Sequence, residues 1–501
     1  MSATWLTGAG PDAMHIAIVR TEFNRARGGA ERYAVALARI WLEQGHRITV
    51  VCAKHEPADA QGMEVVTVSR PGILGPFKHR WFASRAGDAA KSVGAEAVLC
   101  LARAYPGHVM RLGDGLHRAW LGARYPDLGQ RRRALLNPRH RELLKLERQM
   151  FLPGRFQLYV ANSAMIRRAV VHMYGVDPDR VVVIPNGVDA RRFSLECRAR
   201  RVVTRASQGI SPAAPLVLFS GMDFRRKGLP EAVRGFVALA RSRPDAVFAC
   251  VGPGDTAEAR ALLRQAGLEG SARFVDHTDA VGDWYAAADV FVLPTMHDPS
   301  ANAVTECLAC GTPVITSTEN GARQHLRNGV NGWLLASRGN AAELAQRAAL
   351  LLANAPRPEV VAQSGALIST HENARLVLET LVRAAAMQRA LSPDAIEPPV
   401  LDEPLPQGAA LESARWLGRL HAAGWRGLSF ELAGRMRWHF SRRGGGPGDA
   451  LLELAGPFVA AAVHREGFSR TRLLRWLRAY LWALQDSRRN LHEAARQLSG
   501  E

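Results

Sequence analysis

The sequence contains no run of roughly 18 or more apolar residues, so no transmembrane helix is expected. Cysteine is sparse and scattered, at Cys52, Cys100, Cys197, Cys250, Cys307 and Cys310. The single CxxC, formed by the last two, has no second pair, so no metal site is expected and a reduced, cytoplasmic compartment fits best. The first 13 residues lack a basic start followed by an apolar core, so they do not read as a signal peptide, and Met14 is an alternative start. Acidic residues are in deficit: 46 Asp and Glu face 65 Lys and Arg, a formal charge of +19. Such a field favours polyanions, whether nucleic acid, anionic lipid or phosphorylated substrates. No RNP-type, zinc-finger or helix-turn-helix signature accompanies it, so nucleic acid is not an expected partner. Charged residues make up 22% against 47% hydrophobic, which excludes a mostly disordered chain.

A length of 501 residues suggests about three units, at roughly 150 residues each. The segment His15 to Arg20 reads as a buried strand. The turn Gly28-Gly29-Ala30-Glu31-Arg32 follows, then helical periodicity from Tyr33 to Gln44, a stop at Gly45 and a strand from Arg47 to Cys52. This β-loop-α-β order opens a Rossmann-like domain. Val65–Val68, Ala97–Leu101 and Leu158–Ala161 are further strands. A second series begins with Val181–Ile184 and the turn Pro185-Asn186-Gly187-Val188-Asp189. It continues through strands at Pro215–Ser220, Ala246–Val251, Arg273–Val275, Val290–Leu293 and Pro313–Thr316, with helices between them. The pattern predicts two doubly wound α/β domains in tandem, with ligands at the C-terminal ends of the strands and therefore in the cleft between domains. Prolines at 393, 398, 399, 404 and 406 mark residues 391–406 as a linker, and residues 407–501 form an Arg- and Trp-rich helical tail without lysine.

Four groups of residues could carry chemistry. Gly28 and Gly29 precede a helix, where backbone N–H groups can approach an anion, although an ordinary glycine turn has the same look. Ser220-Gly-Met-Asp-Phe-Arg-Arg-Lys-Gly228 sits between a strand and a helix and sets Arg225, Arg226 and Lys227 at a strand's C-terminal end. These cations suit a leaving diphosphate, or form a solvated basic turn. Pro294 to Glu306 places Asp298 in a loop and Glu306 one turn into the next helix, whose first amides lie near Asn302 and Ala303. A second anion site and a carboxylate for sugar hydroxyls are one reading; N-capping by Asp298 or Ser300 is the other. Asp114 and His117, in Gly113-Asp-Gly-Leu-His117, could position an acceptor hydroxyl, or Asp114 could bond its own turn.

Together these residues resemble the family-4 glycosyltransferases of the GT-B, two-Rossmann type. The matching stretches are Gly28-Gly29, Pro185 to Asp189, Arg226-Lys227-Gly228, the acidic pair Asp298 and Glu306, Ala286 to Pro294, and Glu306 to Ile315. The resemblance covers roughly residues 14–390, and within the family Asp223 to Gly228 and Gly113 to His117 are most similar to the lipopolysaccharide core glucosyltransferase branch. It implies an N-terminal acceptor-side domain at 14–184, a nucleotide-sugar domain at 185–365, and a helix at 366–390 returning to the first domain. It also implies roles. Arg226 and Lys227 would grip the donor diphosphate, Glu306 the ribose and Asp298 the transferred sugar. Gly28 and Gly29 would approach the phosphate, and transfer would retain configuration without a metal or other cofactor. The expected donor is UDP-linked. Three positions depart from the family pattern: Asp298 stands for Glu, Ala301 for Gly, and Met222 for an Arg whose charge Arg225 or Arg226 must then supply.

Residues 118–148 interleave Arg118, Arg124, Arg131, Arg132, Arg133, Arg139, Arg141, Lys145 and Arg148 with Trp120, Leu135, Leu136, Leu143 and Leu146. This is a basic amphipathic segment for an anionic membrane surface, or a solvated basic helix. In the tail, Leu420 to Gly424 and Ser469 to Tyr480 resemble pieces of a lipopolysaccharide kinase lobe without its catalytic Asp, hence a remnant or an accessory helical tail. The sequence therefore reads as a retaining hexosyltransferase. It would act on a phosphorylated, lipid-linked glycan such as lipopolysaccharide core, from the inner face of the membrane. A nucleotide-sugar epimerase of the same fold, and a catalytically inactive membrane- or RNA-binding protein, are the alternatives.

Overall fold

The structure, a computed structural model, describes residues 13–389. Apart from the end of the helix Thr370–Arg389, they belong to one compact unit that runs to Ala385. The linker expected at 391–406 and the tail expected at 407–501 lie outside the described residues.

Two all-parallel sheets organise this unit. The first has seven strands in the spatial order Glu64–Thr67, Arg47–Cys52, His15–Val19, Ala97–Cys100, Val109–Arg111, Leu158–Ala161 and Val181–Val183. The second has six, ordered Ala272–Val275, Val247–Val251, Leu216–Ser220, Val290–Leu293, Val314–Ser317 and Gly332–Leu335. Counted along the chain, both sheets run third, second, first, fourth, the order of a doubly wound fold. Central strands such as Leu216–Ser220 and Val290–Leu293 are buried along their whole length, as sheets covered by helices on both faces require. In each sheet the order reverses between the first and fourth strands. The crevice beyond their C-terminal ends is where such folds take ligands. Arg20 and Leu101 lie there in the first domain, and Ser220 and Pro294 in the second.

Several boundaries differ from expectation. Val181–Val183 does not open the second series; it pairs with Leu158–Ala161, Tyr159 opposite Val181, and closes the first sheet. A short apolar run does not encode which sheet it joins, because that is settled by contacts distant in sequence. The strands Val109–Arg111 and Gly332–Leu335 were not foreseen; one is three residues long and ends in Arg, the other starts with Gly. The first long helix runs Gly29–Glu43, a turn earlier than its apolar periodicity begins, with Gly28 at its N-cap. The basic segment 118–148 is three helices, His117–Arg124, Leu128–Ala134 and Pro138–Met150. Among the described residues no helix is long and apolar enough to cross a membrane.

The chain passes between the sheets twice, at one place. Val188 N donates to Ile368 O at 2.9 Å, and Thr370 N donates to Val188 O at 3.1 Å. Gly187 is confined here, because a Cβ would sit 2.6 Å from Ser369 O. The helix Thr370–Arg389 then covers the first domain. Trp41, fully buried in the Gly29–Glu43 helix, donates Nε1–H to Ala374 O at 3.2 Å. The six cysteines are buried free thiols, and burial pushes Cys52 up to about 11 and Cys100 and Cys250 up to about 12. Trp41→Ala should destabilise the protein by about 3–5 kcal/mol, the usual cost of emptying a large aromatic site. A lowered denaturant midpoint followed by circular dichroism is the readout.

Candidate active site

The second domain's crevice is built by two loops that lock onto each other. After the strand Leu216–Ser220, Asp223 takes a left-handed conformation (φ 53°) and caps the one-turn helix Phe224–Lys227. Gly228 ends that turn at φ 87°, where a Cβ would lie 2.1 Å from Pro294 O, so only glycine lets the two loops meet. Met296 N and Thr295 Oγ1 both donate to Arg226 O at 2.9 Å. The basic turn is thereby fixed over the end of Val290–Leu293.

Asp298 lies under it, 5% exposed. Its Oδ2 accepts from Lys227 Nζ at 2.6 Å and from Arg226 Nη1 at 2.9 Å, and its Oδ1 accepts from Ser300 N at 3.2 Å. Burial raises the carboxyl's pKa, but Lys227 and Arg226 outweigh it and hold the group below the usual carboxylate range. Arg226 is also paired with Asp223 at 3.1 Å, whereas Arg225 points to solvent. Arg226 is thus the arginine of this turn that faces the crevice. Met222, where an arginine was the family expectation, is 51% exposed on the Gly28 side of the crevice, where a Cβ on Gly28 would be 3.9 Å from Met222 Cε.

Glu306 sits one turn into the helix Asn302–Ala309 and accepts from Tyr285 Oη at 3.2 Å. Burial raises its pKa above the ordinary value, against the weaker pull of Arg32, Arg192 and Lys227. A carboxyl with spare acceptor capacity at this depth suits a pair of hydroxyl donors. Ala303 is partly buried against the core beside it. Asn302 starts the helix and faces the first domain, where a Cβ on Gly29 would be 3.6 Å from Asn302 Nδ2. The structure therefore brings Gly28, Gly29 and Asn302 together across the crevice, and Arg226, Lys227 and Asp298 together within it. Glu306 feels Lys227 electrostatically.

Four residues of the site were not singled out in the sequence. Asn186 donates to Asn302 Oδ1 at 2.6 Å and to Ser300 O at 3.2 Å, and accepts from Arg111 Nη2 at 2.6 Å. The Arg111 guanidinium lies 3.6 Å from the centroid of the Tyr33 ring, and Tyr33 Oη donates to Asn373 Oδ1 at 3.0 Å. Arg20 bonds Leu101 O at 2.6 Å, Glu31 at 2.6 Å and Asp114 at 3.3 Å. Asn186 stood inside a quoted motif without a role. Arg20 carried one usable signal, its position just past the first strand.

The crevice occupies the switch points of both sheets, with cations over a buried acid and a second acid one helical turn beyond. Sequence comparison agrees with this geometry in two successive blocks. A model of Glycosyltransferase Family 4 matches residues 27–192, and one of Glycosyl transferases group 1 matches residues 214–354. The two matched blocks are successive glycosyltransferase domains. Their fold is GT-B. A D-inositol 3-phosphate glycosyltransferase of Xylanimonas cellulosilytica is 32% identical over 207 residues, covering 36% of this chain and 47% of the relative. The lipopolysaccharide glucosyltransferase WaaG of Escherichia coli is 26% identical over 204 residues, covering 40% and 54%. The chain thus spans about half the length of these curated relatives. Among solved structures, WaaG superposes with a TM-score of 0.57 at 21% identity, covering 75% of this chain and 99% of that one. Anabaena HepE in complex with UDP-glucose gives 0.55 at 19%, covering 74% and 100%. At these identities the structures speak for the fold.

In the first domain of this GT-B fold, Asp114 and His117 do not act on one point. Asp114 turns to Arg20. His117 opens the helix His117–Arg124, where Glu147 accepts from the backbone N of His117 and from Arg118 N at 3.1 Å. The His117 ring hydrogen-bonds His140 (Nε2 to Nδ1, 3.1 Å) and stacks on Trp120 at 5.5 Å. Two intervening residues, one of them Gly115 at φ 69°, turn the two side chains apart. Burial, then Arg103 and His140, push His117 down to about 4; burial, then Arg70 and Arg139, do the same to His79. A histidine whose folded pKa lies below its unfolded value of about 6.5 stabilises the fold above that pH. The contribution is lost as pH falls from 6.5 toward 4, where the unfolded chain binds more protons. The melting temperature should drop across this window, and drop less in His79→Gln, as followed by calorimetry.

Proposed function

We propose that this chain is a retaining hexosyltransferase that uses a nucleotide diphosphate sugar, UDP-linked, and a phosphorylated, lipid-linked glycan acceptor. The observation that carries the reading is Lys227 and Arg226 held together on the buried Asp298 at the second sheet's switch point, with Glu306 behind. Two cations poised over the crevice suit a diphosphate whose negative charge grows as the sugar departs, and preorganised charge of this kind is the largest contribution in many enzymes. Glu306 receives the ribose hydroxyls, Asp298 the sugar hydroxyls, and the Gly28-Gly29 turn approaches the phosphates. The C1–O bond to phosphate breaks and the acceptor oxygen bonds C1 from the same face. The acceptor's proton passes to the leaving phosphate oxygen. WaaG, by name a lipopolysaccharide glucosyltransferase, and HepE, solved with UDP-glucose, support donor and acceptor classes of this kind.

The protein acts at the inner face of the membrane, and its surface supports this. Leu128 and Leu136 are 66% and 78% exposed, flanking Arg131, Arg132 and Arg133. The turn Gly72–Phe77, which packs against the helix Pro138–Met150, exposes Ile73 at 95%.

Calorimetric titration with UDP should give saturable binding that Lys227→Ala and Glu306→Ala each weaken about tenfold or more, the scale of a charge-assisted hydrogen bond. Slow hydrolysis of UDP-glucose should accompany binding. Binding with neither hydrolysis nor transfer would favour an inactive binding protein, and a changed sugar epimer without acceptor would favour an epimerase. Vesicles containing anionic lipid should co-sediment the protein. Replacing Arg131, Arg132 and Arg133 by Ala should weaken this, at about 1 kcal/mol per basic residue near the surface.

A further inference from the structure

The C-terminal ends of the first sheet carry a second cationic centre apart from Arg226 and Lys227. Arg70 follows the strand Glu64–Thr67, Arg103 follows Ala97–Cys100, and His117 follows Val109–Arg111. Two helix starts complete it: His79 at the start of Lys78–Ser92, and Arg139 with His140 at the start of Pro138–Met150. The contacts are close. Arg70 Nη2 lies 3.0 Å from His79 Nδ1, and His117 Nε2 lies 3.1 Å from His140 Nδ1. A guanidinium is a donor only, so His79 must accept through Nδ1 and is held neutral, its remaining N–H on Nε2.

Among the described residues no carboxylate lies within 4.0 Å of the three guanidiniums; Glu22, which acts on Arg70 electrostatically, is paired with Arg27 at 3.4 Å. Gathering three arginines without counter-ions opposes folding, and it depresses the neighbouring imidazoles. A protein keeps such an arrangement where a ligand supplies the charge. None of the six side chains is fully buried. The centre also adjoins the proposed transfer point. Arg103 Nη2 donates to Gly115 O at 3.2 Å, and a Cβ on Gly115 would be 2.5 Å from Pro299 Cγ, one residue from Asp298.

We propose that Arg70, Arg103, Arg139, His79, His117 and His140 form a subsite for a phosphate monoester carried by the acceptor. The proposal rests on the glycosyltransferase reading and deepens it. A monoester brings nearly two negative charges and three acceptor oxygens at neutral pH. Three guanidinium forks and neutral imidazole N–H groups match that demand. A diester, as in a common lipid headgroup, offers one charge and two free oxygens and would leave donors unused.

The test titrates the full chain, its donor site first filled with UDP, with inorganic phosphate and separately with dimethyl phosphate. Phosphate should bind saturably and dimethyl phosphate at least tenfold more weakly. Arg70→Ala and Arg139→Ala should each weaken phosphate at least tenfold and leave UDP affinity within twofold; the Arg139 side chain is exposed and holds no hydrogen bond among the described residues, so its loss should not unfold the protein. Three results would overturn the subsite: no saturable phosphate binding to the UDP-loaded protein, equal binding of the diester, or phosphate affinity unchanged in both variants. Absence of UDP binding, with phosphate binding intact and dependent on Arg70 and Arg139, would instead remove the donor reading and with it the acceptor role of this centre.

Discussion

The second domain's side of the crevice depends on one buried carboxylate shared by two cations. Removing Asp298 from water is costly, and so is confining Lys227 and Arg226 at the same spot. Each charge is tolerable because the others are present. Their meeting requires the left-handed Asp223, the closely packed Gly228 and the two hydrogen bonds onto Arg226 O, so the local backbone is shaped around the ion triad. Both cations spend charge on Asp298, and Arg226 is held by Asp223 as well, so the basic turn is fixed by ion pairs on two carboxylates.

The two domains face each other through polar contacts between specific atoms. Ser163 Oγ donates to Pro299 O at 2.6 Å, Ala164 N to Gln324 Oε1 at 3.1 Å, and Asn186 to Asn302 at 2.6 Å. Side chains and loop carbonyls dominate these contacts, so the face is one that water can re-solvate when the domains part. Asn186 matters most among them. Its amide uses both donors and its acceptor, and it links the helix start bearing Asn302 to the Arg111–Tyr33 stack in the first domain.

Much of this could be read from residue order. Strands of both domains announced themselves through apolar runs and glycine stops, and Val290–Leu293 and Leu158–Ala161 match to the residue. The acidic pair and the basic turn were legible because a strand, a turn and a helix start occur in a fixed local order. What depends on distant pairing was not legible. Val181–Val183 joined the first sheet, and His117 turned from Asp114 to His140, 23 residues further along the chain. Arg20 looked like the polar end of a strand and Arg111 carried no signal; their partners Glu31, Asp114 and Asn186 lie 11 to 94 residues away.

The paired crossing at Val188 and Ser369 has a consequence for how such proteins can be cut and recombined. Because the last helix returns to Trp41, the first domain is discontinuous in sequence, and the second domain is an insertion whose two ends lie side by side. A fragment ending near residue 365 would remove the carbonyl that accepts from Trp41. Exchange of the whole second-domain cassette with a relative, by contrast, needs two cuts that fall within a few ångströms of each other. In this architecture the second sheet with its helices is a transplantable module, and the first domain is the chassis that the chain leaves and re-enters at a single place.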